Sequence, residues 1–120
     1  MIVCVVEDLI FSIKISTAAK HLGVDMYFER SKEKVLQTVR EKQPSLVIFD
    51  LNSGKLAPIE MIAAMKAEPA LASIRTLGFV SHVQTDTIAA AREAGIDEVL
   101  ARSAFADRLG EILRTEGGSS

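Results

Sequence analysis

Five short apolar runs punctuate the chain: Ile2 to Val6, Val24 to Phe28, Leu46 to Phe49, Thr76 to Val80 and Glu98 to Ala101. Longer stretches separate them, and in those stretches apolar residues return at helical spacing. The runs are short and rich in Val, Ile and Phe, so they read as strands. Strict alternation of strand and helix demands a parallel sheet with right-handed crossovers, because a short loop cannot connect parallel neighbours. Strands covered by helices on both faces need no polar face, which accounts for the nearly continuous hydrophobes of the first and third runs. The chain therefore reads as a (βα)5 α/β domain.

The intervening segments carry their own start and stop signals. Phe11, Ile15, Ala18 and Leu22 share one helical face, and Gly23 follows where a left-handed C-terminal cap is wanted. Ser31 is placed to cap a second helix carrying Val35, Leu36 and Val39, which Pro44 closes. The third has Pro58 near its start, Ile59, Ile62 and Met65 on one face, and Pro69 as terminator. Met61 and Met65 read as core fillers. The fourth, Thr85 to Ala94, is alanine-rich and stops at Gly95. A fifth opens at Ser103 and carries Phe105, Leu109, Ile112 and Leu113, with Gly117 beyond it. With 120 residues there is room for one ordinary domain. Residues 1–116 are expected to form it, and 117–120, "GGSS", a flexible tail.

A net charge of −2, with the bases scattered, supplies no field for nucleic acid or an anionic membrane surface, so neither partner is expected. No apolar run approaches membrane-spanning length, and the opening "MIVCVVEDLI" turns acidic too early for a secretory leader, so a cytoplasmic location is expected. The single cysteine, Cys4, lies inside the first strand and reads as a small core side chain.

In an open parallel sheet, ligands bind outside the carboxyl ends of the strands, where strand order reverses. The stretch "PSLVIFDLNSGK" ends a greasy strand on Asp50. The first run ends in Glu7 and Asp8, the fourth in Ser81 and His82, and the fifth in Arg102. If the first and third strands are neighbours, three carboxylates, a hydroxyl and a guanidinium share one edge. Three close carboxylates repel unless a cation neutralises them or some are protonated, and all-oxygen ligation suits a hard ion such as Mg²⁺. Singly, each acid also has an ordinary reading. Asp50 can cap a turn, and Glu7 and Asp8 can cap the first helix, where the macrodipole favours acids. Arg102 can simply pair with Asp50 or Glu7, and Ser81 can be plain turn chemistry. His82 reads as a loop side chain, and His21 as a favourable charge in the last turn of the first helix, without a function.

In this order and placement, "VED", "IFDLN", Ser81 and "DEVLARSAF" resemble the receiver domain of bacterial two-component response regulators, up to about Leu113. The resemblance implies a flavodoxin-like fold with strand order 2-1-3-4-5. It also implies Mg²⁺ held by Glu7, Asp8, Asp50 and the backbone carbonyl of Asn52, phosphorylation of Asp50, and contacts from Ser81 and Arg102 to the phosphoryl group. The donor would be a sensor histidine kinase or a phosphotransfer protein. Output would go to an unknown downstream protein, or to a second copy, through the face of the fourth helix, fifth strand and fifth helix. The expected function is that of a stand-alone receiver and phosphoacceptor, not an enzyme beyond self-phosphorylation and autodephosphorylation.

The sequence departs from the family at four places, and those at Arg102, Val99 and His82 point to the alternative, a phosphorylation-independent pseudo-receiver acting as an interaction module. Arg102 stands for the family's lysine and is followed by Ser103 instead of proline. Val99 stands where a switch aromatic is common, bulky His82 follows Ser81, and "DLNSGKLAP" lacks the family's Met-Pro pair. A flavin-binding or enzymatic reading of the same architecture is disfavoured, because "VEDLIFS" offers carboxylates where an anionic cofactor needs glycines and amides.

Overall fold

The computed structural model of the chain describes residues 1–81 and 84–117. The strands are β1 (Ile2–Val5), β2 (Met26–Phe28), β3 (Leu46–Asp50), β4 (Arg75–Val80) and β5 (Glu98–Ala101). They form one parallel sheet in the order β2-β1-β3-β4-β5. The order reverses between β1 and β3, which are in register from Ile2 opposite Leu46 to Val5 opposite Phe49. The expected neighbour relation of the first and third strands is met.

Every residue of β1 and β3 is buried, and alternate side chains feed opposite layers. Ile2, Cys4, Leu46, Ile48, Leu77 and Phe79 pack on one face against α1 (Leu9–Leu22), α5 (Arg102–Asp107) and α6 (Leu109–Gly117). Val3, Val5, Val47, Phe49 and Val80 pack on the other against α2 (Val35–Lys42), α3 (Pro58–Ala67) and α4 (Thr85–Ala94). Each such side chain contributes roughly 1.5–3 kcal/mol by leaving water, so two filled layers hold the sheet between them. Burial pushes the Cys4 thiol well above its ordinary pKa, in keeping with a core role.

The helix signals act as expected at most ends. Gly23 adopts φ 70° and closes α1, Pro58 opens α3, and Gly95 at φ 103° closes α4. Ser31 differs: it makes no capping bond, its hydroxyl goes to Glu33 at 3.2 Å, and a 3₁₀ turn over Lys32–Lys34 precedes α2. The buried Glu29 ties that turn instead, accepting from Ser31 N–H at 3.2 Å and from the Thr38 hydroxyl at 2.6 Å. The predicted fifth helix is divided at Arg108. Backbone bonds still run across it, Arg108 to Ala104 at 3.0 Å and Ile112 to Arg108 at 2.9 Å, so α5 and α6 form a bent continuation. Gly110, a poor helix former, weakens the second segment's first turn. Residues 118–120 of the expected tail lie outside the described residues, while Gly117 ends α6.

Candidate functional site

Asp8, Asp50, Ser81 and Arg102 stand at the carboxyl edge of the sheet, where Arg102 contacts Asp8 and Ser81 and Asp50 bonds to its own loop. Asp8 caps α1: its Oδ1 accepts the Phe11 N–H at 3.0 Å. Its other oxygen, Oδ2, accepts from Arg102 Nη2 at 3.1 Å. Arg102, the first residue after β5, also donates from Nη1 to the Ser81 hydroxyl at 3.4 Å. Its guanidinium carbon lies 4.1 Å from the centroid of the Phe11 ring, a stacked cation–π geometry. Phe11 is itself wedged in a trio, 5.0 Å from Phe79 and 5.9 Å from Phe105, which are 5.0 Å from each other. Helix α1, strand β4 and helix α5 thus build a floor under the arginine.

Asp50 ends β3 and is 9% exposed. Its Oδ1 accepts the Asn52 N–H at 3.0 Å, an Asx turn, so the turn-capping reading of this acid is realised. Among the described residues, Oδ2 has no hydrogen-bond partner. Burial pushes the Asp50 carboxyl above the ordinary range; the Asn52 N–H and Arg102 pull it down, and the charges of Asp8 and Glu7 push it up. Asp8 is held below the ordinary range, first by the Phe11 N–H and then, against partial burial, by the Arg102 guanidinium. One acid of the edge is therefore stabilised in its charged form and its neighbour is not.

Glu7 is tied elsewhere, accepting from the Ser53 hydroxyl at 2.7 Å. Ser53 is buried and also accepts the Leu56 N–H at 3.3 Å, which fixes the loop after β3. Asn52 bridges two loops: its side-chain Oδ1 accepts the Ser81 N–H at 2.6 Å, and its Nδ2 donates to Gln84 at 3.4 Å. Sequence reasoning assigned Asn52 only through its carbonyl and missed the side chain, Ser53 and Phe11. The aromatic floor had one signal, Phe11 and Phe105 both on inward helical faces. The pairing of Arg102 with Asp8, instead of Asp50 or Glu7, follows from the Phe11 ring, which steers the guanidinium toward the start of α1. His82 lies outside the described residues, and Val99 is partly buried against the α2–α4 layer.

Neither a protein-family model nor a curated protein sequence matches the chain. Solved structures do. The receiver domain of a sensor histidine kinase from Pseudomonas aeruginosa PAO1 matches over 98% of this chain and 97% of its own, at 14% identity and a TM-score of 0.82. A response regulator from Hahella chejuensis matches over 93% and 91%, at 22% identity and a TM-score of 0.79. The Mn²⁺-bound response regulator Rcp1 matches over 94% and 91%, at 19% identity and a TM-score of 0.77. This chain has the receiver-domain fold. In that fold the acid edge lies where the order of strands reverses, at the mouth between β1 and β3.

The Pseudomonas receiver domain has a magnesium ion coordinated in its active-site cleft. Glu7, Asp8 and Asp50 offer the oxygen chemistry for such an ion, but the arrangement here does not. Both oxygens of Asp8 are engaged, Glu7 is bonded to Ser53, and among the described residues no three acidic, histidine or cysteine side chains form a group that could hold a metal. Arg102 places positive charge directly on this edge.

Proposed function

We propose that this chain is a receiver module of a two-component phosphorelay that takes a phosphoryl group on Asp50 and signals by protein contact. One observation carries the reading: Asp50 stands at the end of the central strand with one carboxylate oxygen pinned by the Asn52 N–H and the other unpartnered among the described residues. A pinned carboxylate is oriented before the donor arrives, so little ordering remains to be done in the transfer. Burial raises its basicity, which strengthens it as a nucleophile once ionised.

In the transfer, Oδ2 of Asp50 attacks phosphorus. The new O–P bond forms as the bond to the donor breaks, and the electron pair leaves with the donor. Arg102 and the Ser81 hydroxyl, 3.4 Å apart, are the groups at the same edge able to meet the phosphoryl oxygens. Mg²⁺ suits the all-oxygen set by hardness and charge. With Asp8 held by Arg102, however, the chain's own groups carry the step. The donor is a sensor histidine kinase or phosphotransfer protein, and the output face is that of α4, β5 and the α5–α6 continuation.

A second reading, a pseudo-receiver that binds partners without phosphorylation, is favoured by the Arg102 and Asp8 ion pair, which neutralises part of the edge internally. Acetyl phosphate in Mg²⁺ buffer separates the two. The phosphoacceptor reading expects one labile phosphoryl increment by mass spectrometry, removed by hydroxylamine and absent from Asp50→Asn. If neither acetyl phosphate nor the phosphoryl mimic beryllofluoride engages Asp50 in folded protein, the interaction-module reading stands alone.

A further inference from the structure

Arg102 is fixed by three elements at once. Asp8 before α1 accepts its Nη2 at 3.1 Å, Ser81 after β4 accepts its Nη1 at 3.4 Å, and the Phe11 ring lies 4.1 Å beneath its carbon. A guanidinium is planar, always charged and forked, so it can fill all three contacts together. An ammonium is a point charge without a stacking face. The ring is locked by Phe79 and Phe105, and the arginine's platform is therefore as rigid as the core.

Asp8 is equally committed. Its Oδ1 holds the first turn of α1 through the Phe11 N–H, so Oδ2 is the oxygen freer to turn toward an ion, and Oδ2 is the atom Arg102 holds. A divalent ion at this edge would have to take Oδ2 from the arginine. It would then lie beside a full positive charge in a partly desolvated pocket, where like charges repel more than in water. The missing ligand group and the arginine's position have a single cause.

We propose that Arg102 is the resident counter-cation of this edge and that it excludes divalent metal by occupying Asp8. The inference rests on the receiver reading of the edge, and it predicts a site regulated by release of an arginine instead of by metal loading. Asp50 keeps its own orientation through Asn52, so the exclusion acts at Asp8 and leaves the nucleophile in place.

The test is a titration of the full chain with Mn²⁺, the free ion counted by its electron paramagnetic resonance signal. Arg102→Gln removes the charge while keeping a planar polar head, and should bind Mn²⁺ roughly tenfold more tightly than the native chain. Adding Asp8→Asn to that variant should abolish the gain, which locates the ion. Arg102→Lys keeps the charge without fork or stack and should fall between the two. It also carries the test if Arg102→Gln fails to fold by circular dichroism. Equal Mn²⁺ affinity in native chain and Arg102 variants, or no binding in any of them, would overturn the proposal. Phosphoryl uptake at Asp50 is not part of the readout, so failure of the phosphoacceptor reading and failure of this one are separate results.

Discussion

Thr76 and Asp97 exchange hydrogen bonds in both directions across the foot of β4 and β5. Asp97 Oδ2 accepts the Thr76 N–H at 2.8 Å and its hydroxyl at 3.0 Å, while the Asp97 N–H donates back to the Thr76 oxygen at 3.0 Å. Lys66 from α3 adds its ammonium to the same carboxylate oxygen at 3.2 Å. Burial pushes the Asp97 carboxyl up, but the Thr76 and Lys66 donors outweigh it and the net direction is down. A carboxyl with a depressed folded pKa contributes stability that is present above its unfolded value, near 4, and lost as pH falls through the lower folded value. Asp97→Ala leaves the fully buried Thr76 groups unpaired and should cost about 2 kcal/mol at neutral pH, solvent screening at the half-exposed carboxylate included. Urea unfolding checks the sign: the gap between native chain and variant should narrow from pH 7 to pH 3.

Gly78 supports the site from beneath. A Cβ at this position would stand 2.7 Å from Leu51 Cδ1 and Cγ and 2.8 Å from Ile96 Cδ1, inside any tolerated contact. Gly78→Ala should therefore destabilise the fold by about 1–3 kcal/mol through overpacking. Leu51 directly follows Asp50, so the strain would also reach the acid edge. A double-mutant cycle with Leu51→Ala checks the cause: the two losses should sum to more than the double variant shows, because the second change relieves the clash made by the first.

Asn52 gives a prediction about mobility instead of stability. Its side chain links the loop after β3 to the loop after β4, through the 2.6 Å bond from the Ser81 N–H. Asn52→Ala should cost under about 1 kcal/mol, since the freed amide is exposed and water replaces the acceptor. The Ser81 amide should nonetheless exchange its hydrogen markedly faster, as followed by nuclear magnetic resonance. An unchanged exchange rate would mean that the two loops are held by other contacts.

The fold was legible because it is written in periods and punctuation. Alternating strand and helix patterns, Gly23, Pro58 and Gly95 pinned the elements, and the burial of β1 and β3 followed from their unbroken hydrophobes. The site was legible only as a set of strand-end residues. Glu7, Asp8, Asp50, Ser81 and Arg102 do stand at one edge, yet who holds whom depends on rotamers and on the Phe11 floor, and those have no local signature. Asp8 shows the gap: a helix cap and an ion-pair partner are separate readings of one sequence position, and its two oxygens perform both. Ser31 shows the reverse, a good capping residue whose hydroxyl turns to Glu33 while the buried Glu29 ties the turn through the Ser31 N–H and Thr38.

The two acids nearest the arginine should answer neutralisation with opposite signs. Asp50 is nearly enclosed, and its carboxyl is pushed up by burial first, with Asp8 and Glu7 adding repulsion. Its charge is therefore a cost to the folded state. Asp50→Asn keeps shape and keeps an oxygen for the Asn52 N–H, while removing the charge that burial penalises. It should stabilise the chain by about 1 kcal/mol at neutral pH. Asp8 is the opposite case: its carboxyl is held down by the Phe11 N–H and by Arg102. Asp8→Asn can still cap α1 but loses the ion pair, and should destabilise by less than about 1 kcal/mol because both partners are about a third exposed. Urea midpoints of the two variants at pH 7 should thus move in opposite directions from the native value. Such a split is expected where a carboxylate is kept for chemistry at the expense of stability. Losses in both variants would mean that the edge is a plain structural ion pair, with Asp50 contributing to the fold in the same way as Asp8.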